Sequence, residues 1–192
     1  MDTQSMIILA VAVVIAAVAL GAWFFYLRQR STKLQERFGP EYNRTVSELG
    51  SQAKAESELA SRQKRVQRFH IVPLTPPETA RFSDMWKALQ LRFVDDPKAA
   101  VSEADRVVRE LMTKRGYPMS DFESSAADLS VDHPVVVSNY RAAQAIAARD
   151  ARGEADTEEL RKAVVHYRAL FDELLETKAA NAAAPQKVEV HP

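Results

Sequence analysis

Four glycines mark out the fold of this chain. Gly39, Gly50, Gly116 and Gly153 each follow a run of good helix formers, and the fifth, Gly21, lies inside an apolar stretch. Glycine takes the left-handed backbone conformation just past a helix end without a Cβ penalty, so this spacing predicts helices that stop at all four. The starts are equally legible. Thr75-Pro-Pro-Glu78 offers a capping hydroxyl, prolines in the first turn and a glutamate at the third helical position. Asp96-Pro97 repeats the cap-and-proline pattern, and Ser120 with Glu123 and Asp156 with Glu159 have capping-box spacing.

Between these marks apolar residues recur at helical spacing. Phe82, Met85, Trp86, Leu89 and Phe93 form one stripe, and Val101, Ala104, Val108 and Leu111 a second. Val136, Tyr140, Ala143 and Ala147 make a small-residue face that allows close packing. Leu160, Val164, Tyr167, Phe171 and Leu174 complete the set. No run alternates with period two, so the pattern predicts an all-α fold with no sheet.

The N-terminus carries a different signal. Met6–Tyr26, "MIILAVAVVIAAVALGAWFFY", is 21 residues without a charge. As a helix it would span roughly 31 Å, the thickness of a bilayer's hydrocarbon core. Trp23, Phe24, Phe25 and Tyr26 follow where such a helix would meet the headgroups. A cleaved signal peptide would carry its basic residues before the apolar run. Here "MDTQS" holds only Asp2, while Arg28, Arg30, Lys33 and Arg37 come after it. The expectation is an uncleaved single-pass anchor with its N-terminus outside and the remainder cytoplasmic.

The expected organisation is a short segment at 1–5, a transmembrane helix at 6–26, and juxtamembrane helices with a connector at 27–74. A helical bundle of four to five helices at 75–177 and a disordered tail at 178–192 complete it. In the juxtamembrane part a short helix is expected after Pro40 and a longer one from Ser51 to about Phe69. Ile71, Val72 and Leu74 of "HIVPLTPP" are placed to pack onto the bundle.

Composition narrows the chemistry. Basic and acidic residues balance at 26 each, so nothing draws the whole chain toward nucleic acid. Cysteine is absent, which removes disulfides, thiolate nucleophiles and cysteine-held metals. Serine-hydrolase, phosphate-loop and dinucleotide-binding signatures are missing, and no cofactor is expected.

One segment concentrates reactive side chains. "DFESSAADLSVDHP" holds Asp121, Glu123, Asp128, Asp132 and His133 within fourteen residues. These types can ligate a divalent cation or act as acid and base. The spacing matches neither a calcium loop, which needs a central glycine, nor a zinc-binding helix with histidines four apart. The plainer reading has Ser120 and Glu123 capping a short helix over about Phe122–Leu129. Asp132 or His133 then caps the next helix, with Pro134 at its first position. A second cluster, Arg62, Lys64, Arg65 and Arg68, offers a basic face for lipid or nucleic acid. Glu56 and Glu58 one turn earlier and the lack of interleaved aromatics favour a solvated charged face.

The motifs "RFGPEYNRTV", "RFVDDP", "RGYP", "DLSVDHPVVV" and "HYRALFDELL" together resemble an uncharacterised family of bacterial membrane-anchored and exported helical proteins. The resemblance covers roughly residues 37–177. It implies a bacterial inner-membrane protein with one helical module behind an anchor, and carries no activity or residue role with it. The functional expectation is a non-enzymatic interaction or scaffold module, with a protein partner or self-association in addition to the bilayer. An enzyme or ligand-binding domain built on Asp121–His133 is the alternative.

Overall fold

The computed structural model describes residues 3–182, with side chains from Ile15 to Leu175 apart from Leu27. Eight α-helices make up its regular structure: α1 (Thr3–Phe38), α2 (Pro40–Leu49), α3 (Gln52–Val66), α4 (Pro76–Asp95), α5 (Pro97–Arg115), α6 (Phe122–Asp132), α7 (Val137–Asp150) and α8 (Thr157–Ala182). No strand occurs among the described residues. Gly39, Gly50, Gly116 and Gly153 all take positive φ at the predicted stops.

The chain divides into two compact units, 1–60 and 61–192, and the division falls inside α3. In the first, α1 continues without a break from the apolar run to Phe38, because no proline or glycine interrupts Leu27–Phe38. Leu34, Phe38, Tyr42, Ala55 and Leu59 are its buried apolar side chains. Among the described residues no helix is long and apolar enough to cross a membrane. The side chains of Met6–Val14, the first part of the run expected to do so, lie outside the described residues.

The second unit is built from two helical hairpins. Arg81 pairs with Glu110 and Arg92 with Glu103, which sets α4 and α5 antiparallel. Arg149 pairs with Glu159 at 2.6 Å and Asn139 meets His166 at 2.8 Å, which does the same for α7 and α8. α5 also packs on α8, and this joins the hairpins. The core draws on every predicted stripe: Phe82, Trp86 and Leu89 from α4, Val101, Ala104, Val108 and Leu111 from α5, Tyr140 and Ala143 from α7, and Leu160, Tyr167, Phe171 and Leu174 from α8. Leu74 is buried in it and Ile71 packs against it, so the expected connector is part of the core.

The caps form largely as the residue types require. The Glu78 carboxylate accepts from the Thr75 N–H at 2.9 Å and from its hydroxyl at 2.8 Å. Asp96 accepts from Ala99 N–H at 3.0 Å, and Asp156 and Glu159 cap each other reciprocally. Two starts differ from expectation. Asp121, not Ser120, caps α6, because a carboxylate one residue later reaches the Ser124 N–H. Residues 134–136 form a turn, and α7 begins at Val137, three residues after Pro134. At the other end, α8 continues to Ala182, into the stretch expected to be disordered, and 183–192 lie outside the described residues.

Candidate functional site

Folding spreads the five side chains of the acidic stretch over several partners. Asp121 stays at the N-terminus of α6 and accepts from the Ser124 N–H at 2.9 Å and the Ser124 hydroxyl at 2.8 Å. The backbone bond, then the hydroxyl, hold its carboxyl below the ordinary aspartate range. Glu123 is exposed and pairs with Arg141 of α7 at 2.9 Å. Asp128 is buried, and its Oδ1 takes both Arg65 Nε at 2.6 Å and a terminal guanidinium nitrogen at 2.5 Å. Asp132 accepts from the Tyr117 hydroxyl at 3.2 Å. His133 is buried, with Nδ1 3.0 Å from Glu173 Oε1 on α8.

Tyr117 serves two of them, bonded to Asp132 and with its ring centroid 6.4 Å from that of His133. Among the described residues no group of three or more His, Asp or Glu could hold a metal ion. What the segment does in the fold is fasten. It ties the end of α3 (Arg65), the corner after α5 (Tyr117), α7 (Arg141) and α8 (Glu173) to one short helix. Burial first, then the negative charge of Asp132, pushes the Tyr117 phenol above its ordinary range, so it stays a donor at any physiological pH.

The four cations from Arg62 to Arg68 do not form one face. Arg62 is buried and Arg65 is drawn to Asp128, while Lys64 and Arg68 stand in solvent. Helical spacing allowed a common stripe; the buried Asp128 carboxylate, which needs a counter-charge, takes one member out of it.

A polar clasp that the spacing did not announce lies at the edge of the core. Asp105 of α5 accepts from the Tyr167 hydroxyl of α8 at 3.1 Å and from the Gln144 amide of α7. Gln144 also reaches the Tyr167 oxygen at 3.0 Å, so three helices meet on three side chains. One trace was present: Asp105 stands four residues after Val101 and three before Val108, inside the apolar stripe of α5. Burial raises the Asp105 pKa, and the bonds from Tyr167 and Gln144 and the charge of Arg109 only partly offset it. Burial also lifts the Tyr140 phenol to about 12.

The sign of the consequence is fixed by linkage. A carboxyl whose folded pKa exceeds its unfolded one binds more protons when folded, so its ionisation costs stability as pH rises through the interval. Asp105→Asn keeps an oxygen that accepts from Tyr167 and Gln144. It should therefore raise the unfolding midpoint at neutral pH, with the gain fading as pH falls toward the ordinary aspartate range. Denaturant titrations of wild type and variant between pH 3.5 and 7.5 measure this. A gain independent of pH would mean that the ionisation of Asp105 is not its source.

The first unit holds an open groove of about 560 Å³, lined by Phe24, Arg28 and Ser31 of α1 and by Gln52, Ala53 and Glu56 of α3. Its polar wall is prearranged. Glu56 Oε1 accepts from the Tyr42 hydroxyl at 2.8 Å and from the Gln52 amide at 2.9 Å, and Gln52 also donates to the Ser31 hydroxyl at 3.1 Å. Partial burial works to raise the Glu56 pKa. The hydrogen bonds from Gln52, Ser31 and Tyr42 and the charge of Arg30 outweigh it and hold the carboxyl below its ordinary range.

No protein-family model, no curated protein and no solved structure matches this chain.

Proposed function

We propose that the protein is a single-pass membrane-anchored helical module, held by residues 6–26 in a bacterial inner membrane with its N-terminus outside. Its helical domain serves a non-enzymatic interaction or scaffold role on the cytoplasmic side. One observation carries the anchored reading. Ile15, Val18, Leu20, Trp23, Phe24 and Phe25 are each 63–69 % exposed, all on one helix and following one another within three turns. Exposed apolar surface of that extent is rare on soluble monomers, and a bilayer covers it on every side at once. The basic residues that follow, Arg28, Arg30, Lys33 and Arg37, support the orientation. What favours interaction over catalysis is that the polar side chains of the bundle are engaged in joining helices to one another, as Asp105, Asp128 and His133 are.

Alkaline carbonate washing of membranes tests the anchor. The full chain should stay in the pellet, and a chain lacking 6–26 should move to the supernatant. Release of the full chain would rule out a spanning helix. A reporter fused to the C-terminus should read as cytoplasmic. Crosslinking in intact membranes should capture a protein partner or a second copy, and capture of neither would sink the interaction role.

A further inference from the structure

We propose that the groove between α1 and the start of α3 holds the headgroup of a phosphoethanolamine lipid, an inference that rests on the anchored reading above. The groove begins at Phe24, in the aromatic cluster that ends the apolar run. Arg28 lies one turn on, roughly 6 Å along the helix axis, and Ser31 nearly another turn beyond it. Opposite stand Gln52, Ala53 and Glu56. Along this path the wall changes from apolar to cationic to polar to anionic. A phosphoethanolamine lipid changes in the same order, from acyl chain to phosphate to primary ammonium.

The chemistry selects among headgroups. The Arg28 guanidinium presents paired donors to a phosphate at headgroup depth. Glu56 stays ionised, and an ionised carboxylate has about four acceptor sites, so beside its bonds from Gln52, Ser31 and Tyr42 one remains for an ammonium. A trimethylammonium has no N–H to donate, and Phe24 alone makes no aromatic cage for it. A phosphoglycerol headgroup satisfies Arg28 but sets its uncompensated negative charge in a groove that also holds Glu56. Only the zwitterion with a primary amine matches both ends.

The test reconstitutes the full chain into nanodiscs of equal parts phosphatidylethanolamine, phosphatidylcholine and phosphatidylglycerol and measures the co-purifying lipid by native mass spectrometry. Phosphatidylethanolamine should be retained about fivefold over either of the other two lipids, the scale of one net hydrogen bond. Glu56→Gln keeps the shape and the acceptor for Tyr42 but removes the charge, and should turn the preference toward phosphatidylglycerol. Arg28→Gln, on an exposed position, should weaken retention of both. A structural defect would lower all retention alike, so a reversal of preference reports the charge and not the fold. Retained lipid in bulk proportions, or a preference untouched by Glu56→Gln, would overturn the proposal. Displacement of the lipid by equimolar soluble phosphoethanolamine would overturn its assignment to the bilayer. A chain that fails to enter nanodiscs would overturn the anchored reading itself, a separate outcome.

Discussion

Replacing Gly116 with alanine should cost the bundle about 3 kcal/mol or more and lower its melting temperature by about 10 °C. Two effects combine. Gly116 sits at φ +94, where an L-residue pays roughly 1–2 kcal/mol. A Cβ there would also run into the backbone carbonyl of His70, lying against its oxygen and 3.1 Å from its carbon. Neither side yields easily. The Gly116 N–H bonds Thr113 O at 3.0 Å and the Tyr117 N–H bonds Met112 O at 3.0 Å, the paired bonds of a Schellman stop. On the facing strand of chain, the Val72 N–H is tied to Arg115 O at 3.0 Å. The Arg115 side chain in turn donates to Leu174 O on α8 at 2.6 Å, so a shift at this corner spreads into the core. Gly153→Ala is the internal control: its φ is +73, but open space surrounds the added methyl, so about 1 kcal/mol is expected. The chain has two tryptophans, Trp23 and Trp86, so fluorescence in a Trp23→Phe background follows the bundle alone. Equal losses at the two glycines would show that backbone conformation matters and the His70 contact does not.

Trp86→Ala should be at least as damaging, at about 3–5 kcal/mol. Trp86 is buried on α4 and stacks on Phe171 of α8, with centroids 4.5 Å apart and planes inclined by 26°. Removing it opens a cavity where the first hairpin meets the second. The guanidinium of Arg168, 5.8 Å from the ring centroid, loses its aromatic face as well. Trp86→Phe separates shape from polarity. The indole Nε1 is buried and meets no acceptor among the described residues, so phenylalanine keeps a stacking ring while removing an unsatisfied donor. It should cost less than half as much as alanine in a urea titration followed by circular dichroism. An equal cost would mean that Nε1 has a partner after all.

The helices were legible because their punctuation is local. A glycine that must take positive φ and a glutamate three residues after a threonine act within one turn, whatever the rest of the chain does. The stripes were legible for a similar reason, since period 3.6 alone decides which residues share a face. The limits of local reading show at Ser120 and Pro134. Two adjacent capping residues, Ser120 and Asp121, compete for one helix start, and the carboxylate nearer the first turn takes it. Pro134 suits a first helical turn, yet the chain uses three residues to turn before α7 begins.

The site was far less legible. Five acidic and imidazole side chains in fourteen residues look like one site when written in a line. A helix turns about 100° per residue, so neighbours in sequence diverge and find partners on other elements. Arg65 lies 63 residues before Asp128, and Glu173 lies 40 after His133. Spacing within the segment carries no trace of either. The groove is the same kind of feature, because Arg28 and Glu56 belong to helices separated by α2.

By itself the sequence determined that this chain is helical, where most of its helices stop, which faces they bury, and that its first helix carries an uncharged apolar run. Those properties follow from backbone sterics and side-chain period, which act over a few residues. Tertiary structure alone decided the pairings: Asp128 with Arg65, His133 with Glu173, Asp105 with Tyr167 and Gln144. A buried charge or hydroxyl must find a complementary group at about 3 Å, and which group stands there depends on how distant helices cross.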